Sequence, residues 1–216
     1  MHSTLVPGRG LATDGTPQQP GAPSLELERP DVQLDIERSI LGAMRVHAGS
    51  TAKLTDSVVD ANARDAIAYA EPSDVDPGAG GALTFESCTV IGEVRSETLH
   101  ASNSILLGVV DVVRRQEGCV RFSFLPIDSR APRRFRCQPI AGRPNNFPRF
   151  ATLRYGMPGY CQLTVRTPAA IRRGAEDESE MGVFRFLYQP QRESDLVTRL
   201  DEYLRVGLQA GIFYES

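Results

Sequence analysis

Five short segments of this sequence align without gaps, and that alignment constrains the fold more than any other feature. They span residues 34–41, 52–59, 83–90, 99–106 and 113–120. An apolar side chain fills the first position in all five and the third position in four. A small residue fills the sixth: Ser39, Ser57, Cys88, Ser104 and Gly118, at offsets of 18, 31, 16 and 14 residues. The long offset contains the Pro/Gly/Asp-rich stretch 71–81, which reads as a loop bulging from one coil. Internal periodicity of this kind points to stacked units, none of which can bury its inner face alone.

A second beat follows three of the segments: Gly42, Gly92 and Gly108 are each followed by an apolar residue two positions on. This reads as one strand, a glycine corner, and a second strand along the next face of a coil. The expected fold is therefore all-β: a parallel β-solenoid with coils of 16 to 18 residues, an irregular C-terminal region and one capping α-helix. Strict hexapeptides are missing, which favours a right-handed coil. An antiparallel sandwich would need hairpin turns, and the one Asp-Gly pair, Asp14-Gly15, lies outside the aligned segments. The organisation expected is 1–125 as solenoid with loops at 8–23 and 62–82, then 126–216 as the irregular region.

The ends are read in the same frame. Ser3 lies 36 residues before Ser39, so residues 2–8 match the second half of a coil. The chain is thus expected to start in mid-coil, as a continuation or fragment of a longer solenoid. Its open end would invite a protein partner or self-association. Near the C-terminus, Ser194 suits the N-cap of a helix over about 195–207 that presents Leu196, Leu200, Tyr203 and Leu204 on one face. Ile212, Phe213 and Tyr214 form a short apolar tail.

Charge is uneven behind a net −3. Residues 114–154 hold ten arginines against Glu117 and Asp128, while 1–113 hold 7 basic and 16 acidic side chains. Within the basic stretch Arg133, Arg134 and Arg136 surround Phe135 and are the candidate partner-binding residues. The acidic pI and scattered prolines weigh against nucleic acid. The four cysteines are far apart and read as reduced thiols, which suits a cytoplasmic protein. No apolar stretch approaches the roughly 20 residues of a membrane helix. His2, His47 and His100 carry no metal-ligand spacing, and no cofactor motif appears.

The composition of the segments weighs against an enzyme without excluding one. Outward positions line up as Asp35–Lys53–Thr84–His100–Arg114 and Glu37–Thr55–Glu86–Ser102–Gln116. Glu37 and Glu86 are the weak catalytic candidates for a carbohydrate-cleaving or carbohydrate-binding β-helix. With the strand of Thr55 between them, they would lie about 10 Å apart, at the far edge of inverting-glycosidase spacing. The leading expectation is a structural or protein-interaction module.

The segments 117–124 and 132–139, with 4–8, 39–42, 153–156, 174–182 and 199–214, resemble a group of largely uncharacterised bacterial β-helix proteins, in their C-terminal part. The resemblance implies a β-helix that continues upstream. Some members are associated with gene clusters of phage-tail-like contractile injection machinery, which implies a component or accessory of such an assembly. It assigns no catalytic residues.

Overall fold

The computed structural model of the chain describes residues 3–73, 75–140 and 145–211. His2 and the apolar tail Ile212, Phe213 and Tyr214 lie outside the described residues. The strands in chain order begin with β1 (Ser3–Thr4), β2 (Pro23–Leu27), β3 (Gln33–Glu37), β4 (Ser39–Val46) and β5 (Thr51–Thr55). Next come β6 (Val58–Asp60), β7 (Ile67–Ala70), β8 (Ala82–Glu86), β9 (Thr89–Ile91) and β10 (Glu93–Ser96). The series closes with β11 (Leu99–Ser102), β12 (Ile105–Leu106), β13 (Val110–Val112), β14 (Gly118–Arg121) and β15 (Arg134–Phe135).

These strands form two sheets, and every pairing between them is parallel. The smaller sheet has six strands in the order β15-β14-β11-β8-β5-β3. The larger has nine: a path β12-β9-β6-β4-β7-β10-β13, with β1 and β2 also paired to β4.

The larger sheet overturns the expected β-solenoid: its seven-strand path curls round as a nearly closed barrel of parallel strands. The cause lies in β4, which runs eight residues straight through Gly42, where a corner was expected. Its first half pairs with β6, Ile40 opposite Val58, and its second half with β7, Met44 opposite Tyr69. Two faces that a coil would keep separate thus merge into one sheet. Strand β7 also falls inside the stretch 62–82 that was read as a loop.

In the six-stranded sheet, the first four aligned segments lie side by side in the register their alignment expects. Ile36, Leu54, Phe85 and Ala101 fall in one line, and Glu37, Thr55, Glu86 and Ser102 in the next. The fifth segment does not. Leu99 pairs with Gly118 and Ser102 with Arg121, so the outward positions are Cys119 and Arg121, and Arg114 and Gln116 lie in a turn outside the strand. Gly118 mimicked the small sixth residue, whose true occupant is Ser123.

What separates each strand of the smaller sheet from the next stretch of chain is a single residue in the left-handed region. Arg38, Asp56, Ser87, Asn103, Phe122 and Arg136 have φ of 49, 47, 53, 52, 48 and 50°. The serine that follows locks the bend: Ser104 Oγ donates to Ser102 O at 2.8 Å and accepts from Cys88 N–H at 3.1 Å. Ser57 and Ser123 do the same, accepting from Ser39 N–H and Ser104 N–H. Cys88 and Cys137 turn thiols to the equivalent carbonyls. At the other break, a Cβ on Gly108 would meet the Gly92 carbonyl carbon at 2.2 Å, so only glycine permits these backbones to approach.

Alternation on the strands produces two cores. The inner one includes Met44, Leu54, Tyr69, Phe85, Val94, Leu106 and Leu125. The second lies on the outer face of β6, β9 and β12, where Val58, Ile91 and Ile105 are covered by Cys161, Ile171, Met181 and Val183. The irregular C-terminal region thus packs along a flank, tied by Gly182 N–H to Asn103 O at 2.7 Å and Val183 N–H to Thr89 Oγ1 at 3.1 Å. It carries a short helix α1 (Ala169–Arg172) and the longer α2 (Gln189–Tyr203). The expected capping helix over 195–207 is corrected. α2 begins earlier, with Tyr188 rather than Ser194 before its first turn, and leaves Leu196, Val197 and Tyr203 46%, 47% and 85% exposed. It covers no core.

Candidate functional site

The two ends of the strand stack differ, and the difference defines the first candidate site. At the end formed by β1, β2 and β3, each strand pairs on one side only. Thr51 N–H donates to Val32 O, and Arg38 N–H donates to Thr55 O. Backbone groups alternate sides along a strand, so those of residues 32, 34, 36 and 38 face β5. Those of Gln33, Asp35 and Glu37 face outward, with no strand beside them among the described residues. Leu25, Leu27, Leu34 and Ile36 pack against the inner core but are only half-buried. Around them lie Glu26, Glu28, Asp31, Asp35 and Glu37, against Arg9, Arg29 and Arg38. Arg9 pairs with Glu26 at 3.9 Å and Arg38 with Glu37 at 3.5 Å, leaving the edge net acidic.

The second candidate is the outer face of the six-stranded sheet. Lys53, Glu86, His100, Ser102, Cys119 and Arg121 line a depression of about 420 Å³ there. Of the weak catalytic pair, Glu86 lines this depression, whereas Glu37 lies two strands away and is held by Arg38. The structure therefore does not bring the two carboxylates to one point.

The arginine candidates are placed at β15. Arg134 sits in the line of Ile36 and Val120, and its guanidinium donates to Ser129 O at 2.7 Å. Arg136 lies over the rings of Phe122 and Phe135, 5.8 and 5.6 Å from their centroids. Two of the three are thus engaged within the chain, and Arg133 is exposed.

A buried polar pair on the flank escaped the sequence reading. Asp60, 1% exposed, accepts from Tyr160 Oη–H at 2.6 Å and from Asn62 N–H at 2.7 Å. Burial raises its carboxyl pKa above the ordinary value, and those two donors only partly offset this. Nothing in the segments signals the pairing, since the partners are 100 residues apart. All four cysteines are free, and burial pushes the Cys88 thiol up to about 12, which makes it inert. Among the described residues no helix is long and apolar enough to cross a membrane.

No protein-family model, no curated protein and no solved structure matches this chain.

Proposed function

We propose that this chain is a structural, protein-interaction module that joins a partner through its β1–β2–β3 end. The observation that carries the reading is the edge of β3. Five residues without an internal proline present outward N–H and C=O groups at Gln33, Asp35 and Glu37, beside a half-buried apolar line. An unpaired edge of this kind is a template for strand addition, in which main-chain hydrogen bonds give affinity and alternate side chains give specificity. The complementary occupant is an extended parallel strand of another protein. Apolar side chains on it would stack on Leu34 and Ile36, and basic ones would meet Asp35 and Glu37. Like charge opposes pairing of this edge with its own copy. In a phage-tail-like assembly, which the resemblance of the segments implies, this end would be the joint.

The test uses a labelled nine-residue peptide of alternating valine and lysine, and the same peptide with glutamate for lysine. The lysine peptide is expected to bind, to protect the amides of Gln33, Asp35 and Glu37 from hydrogen exchange, and to lose at least tenfold in affinity to Asp35→Pro. That substitution removes an outward N–H and leaves the ladder to β5 intact. Equal binding of both peptides, unprotected amides, or a dimer of the chain alone through β3 would overturn the reading.

A further inference from the structure

We infer that the cleft between β1 and the C-terminal flank binds a small apolar amine in its cationic form. The cleft has a volume of about 190 Å³ and opens where the second core runs out. Ile40, Val58 and Val183 give it an apolar lining, and β1, only two residues long, borders it with Ser3 and Thr4.

One side chain is out of keeping with this lining. The Asp56 side chain is only 21% exposed, yet its carboxylate accepts no hydrogen bond from a described residue. Asp60, buried on the same flank, has two donors. A carboxylate withdrawn from water ordinarily finds N–H or O–H partners. The cation paired with Asp56, Arg38 Nε, stands 3.9 Å away, beyond hydrogen-bond reach, and lies nearer to Glu37, at 3.5 Å. Burial raises the Asp56 pKa above its ordinary value, and Arg38 and Arg185 do not cancel the rise, to which Glu86 and Glu37 add. Arg185 is itself engaged by Asp177 at 3.1 Å. The carboxylate is thus under-compensated: Asp56, Glu37 and Glu86 face Arg38 and an already paired Arg185, which leaves the site net negative.

An ammonium group supplies what is missing, a positive charge with N–H donors. Three rings line the same cleft. The Tyr160 hydroxyl is already donated to Asp60, so that residue brings a ring to the cleft and no free donor. The centroids of Phe184 and Phe186 are 6.5 Å apart, with their planes inclined at 55°. Rings beside a carboxylate favour a cation over a neutral group of the same shape. The apolar lining sets the rest of the ligand. A cavity of about 150 Å³ holds benzene, so this slightly larger cleft takes one ring with an ammonium a single carbon away. An anion would be repelled by Asp56, and a ligand with further polar groups would leave them unpaired against Ile40, Val58 and Val183.

The test titrates the intact chain with three probes that share one ring, benzylammonium, benzyl alcohol and benzoate, and follows the methyl groups of Val58 and Val183 by NMR. Benzylammonium is expected to bind and to shift both valines, benzyl alcohol to bind roughly tenfold more weakly or worse, and benzoate not to bind. Asp56→Gly tolerates the φ of 47° at this position. It should bring benzylammonium down to the level of the alcohol and leave the alcohol unchanged. Arg38→Gly removes the competing cation and should tighten benzylammonium binding. Phe186 is 55% exposed, so Phe186→Ala should weaken binding of the amine without a change in unfolding temperature. Equal binding of the alcohol or of benzoate would overturn the inference, as would weaker binding by Arg38→Gly or shifts that spare both valines. So would the absence of benzylammonium binding at millimolar concentration. Asp35→Pro blocks the β3 edge and leaves the cleft untouched, so benzylammonium binding should survive it, and failure of one proposal is separable from failure of the other.

Discussion

The strand stack ends in two different ways. At the β3 end the last strand is five residues long, its outward amides are unpaired, and Leu25, Leu27, Leu34 and Ile36 are half-buried. At the β15 end the last strand has two residues, Pro132 and Pro139 are buried beside it, and Val120 and Leu125 are fully covered. Arg134 takes the place that an apolar residue would hold in the core line, and its guanidinium folds back onto Ser129 O. Short edges, prolines and charges are the means by which sheets prevent further pairing. The β15 strand combines all three, whereas β3 is flanked by charges but is five residues long and has no internal proline.

The largest expected effect separates the ends by core truncation. Leu125→Ala should cost about 2–5 kcal/mol, the range for a buried leucine whose cavity cannot collapse. Leu34→Ala should cost about 1 kcal/mol, because part of its side chain is already in water. Urea denaturation of both variants measures the contrast, and equal losses would mean that the β3 end is covered after all.

The serine line provides a finer version of the comparison. Ser104→Ala removes a donor to Ser102 O and leaves the buried Cys88 N–H without its acceptor, which should cost about 1–3 kcal/mol. Ser39 Oγ donates to Glu37 O but receives no N–H from a described residue, so Ser39→Ala should cost only about 0.5–1.5 kcal/mol. Urea titrations of the two variants measure the difference, and equal losses would mean that a donor does reach Ser39 Oγ.

On the flank the contrast is one of pH. The folded pKa of Asp60 is raised, so the native state holds its proton more tightly than the unfolded chain does. Stability therefore falls as pH rises from about 4 through the raised folded value, and is level above it. Asp60→Asn should abolish that fall, since an amide keeps partners for Tyr160 and Asn62. Subtracting the two stability profiles between pH 3 and pH 8 isolates this group from the other carboxylates, and a flat difference would show that Asp60 titrates normally.

How much of this was legible follows from which forces act locally. The lines through Ile36, Leu54, Phe85 and Ala101 could be read because alternation on a strand is a property of each segment by itself. So could the pairing of Ser3 with Ser39, at its expected offset of 36 residues. The continuity of β4 through Gly42 was not legible: Gly92 and Gly108 do interrupt strands, and only pairing with both β6 and β7 keeps the third glycine in line. The shift of the fifth segment was hidden because Gly118 and Ser123 are both small. At the candidate sites, the sequence placed Glu37 and Glu86 in one outward line with Thr55 between them, and the register keeps that line. Arg121 escaped notice because its place on the face depends on that shift. The link between Asp60 and Tyr160 spans parts of the chain with no common pattern.

The smallest expected effect concerns α2, whose amphipathic face was read as a cap. If helix α2 covered either end, Leu196 and Val197 would be buried and Leu196→Ser would cost as much as a core substitution. They are instead about half exposed, and Tyr203 more so. Leu196→Ser should therefore change stability by no more than about 0.5 kcal/mol, as for surface positions in general. A loss of about 2 kcal/mol, measured by the same urea titration, would place the helix against the β3 edge or the flank. In the first case the open end would be closed by the chain itself, and the asymmetry between the two ends would disappear.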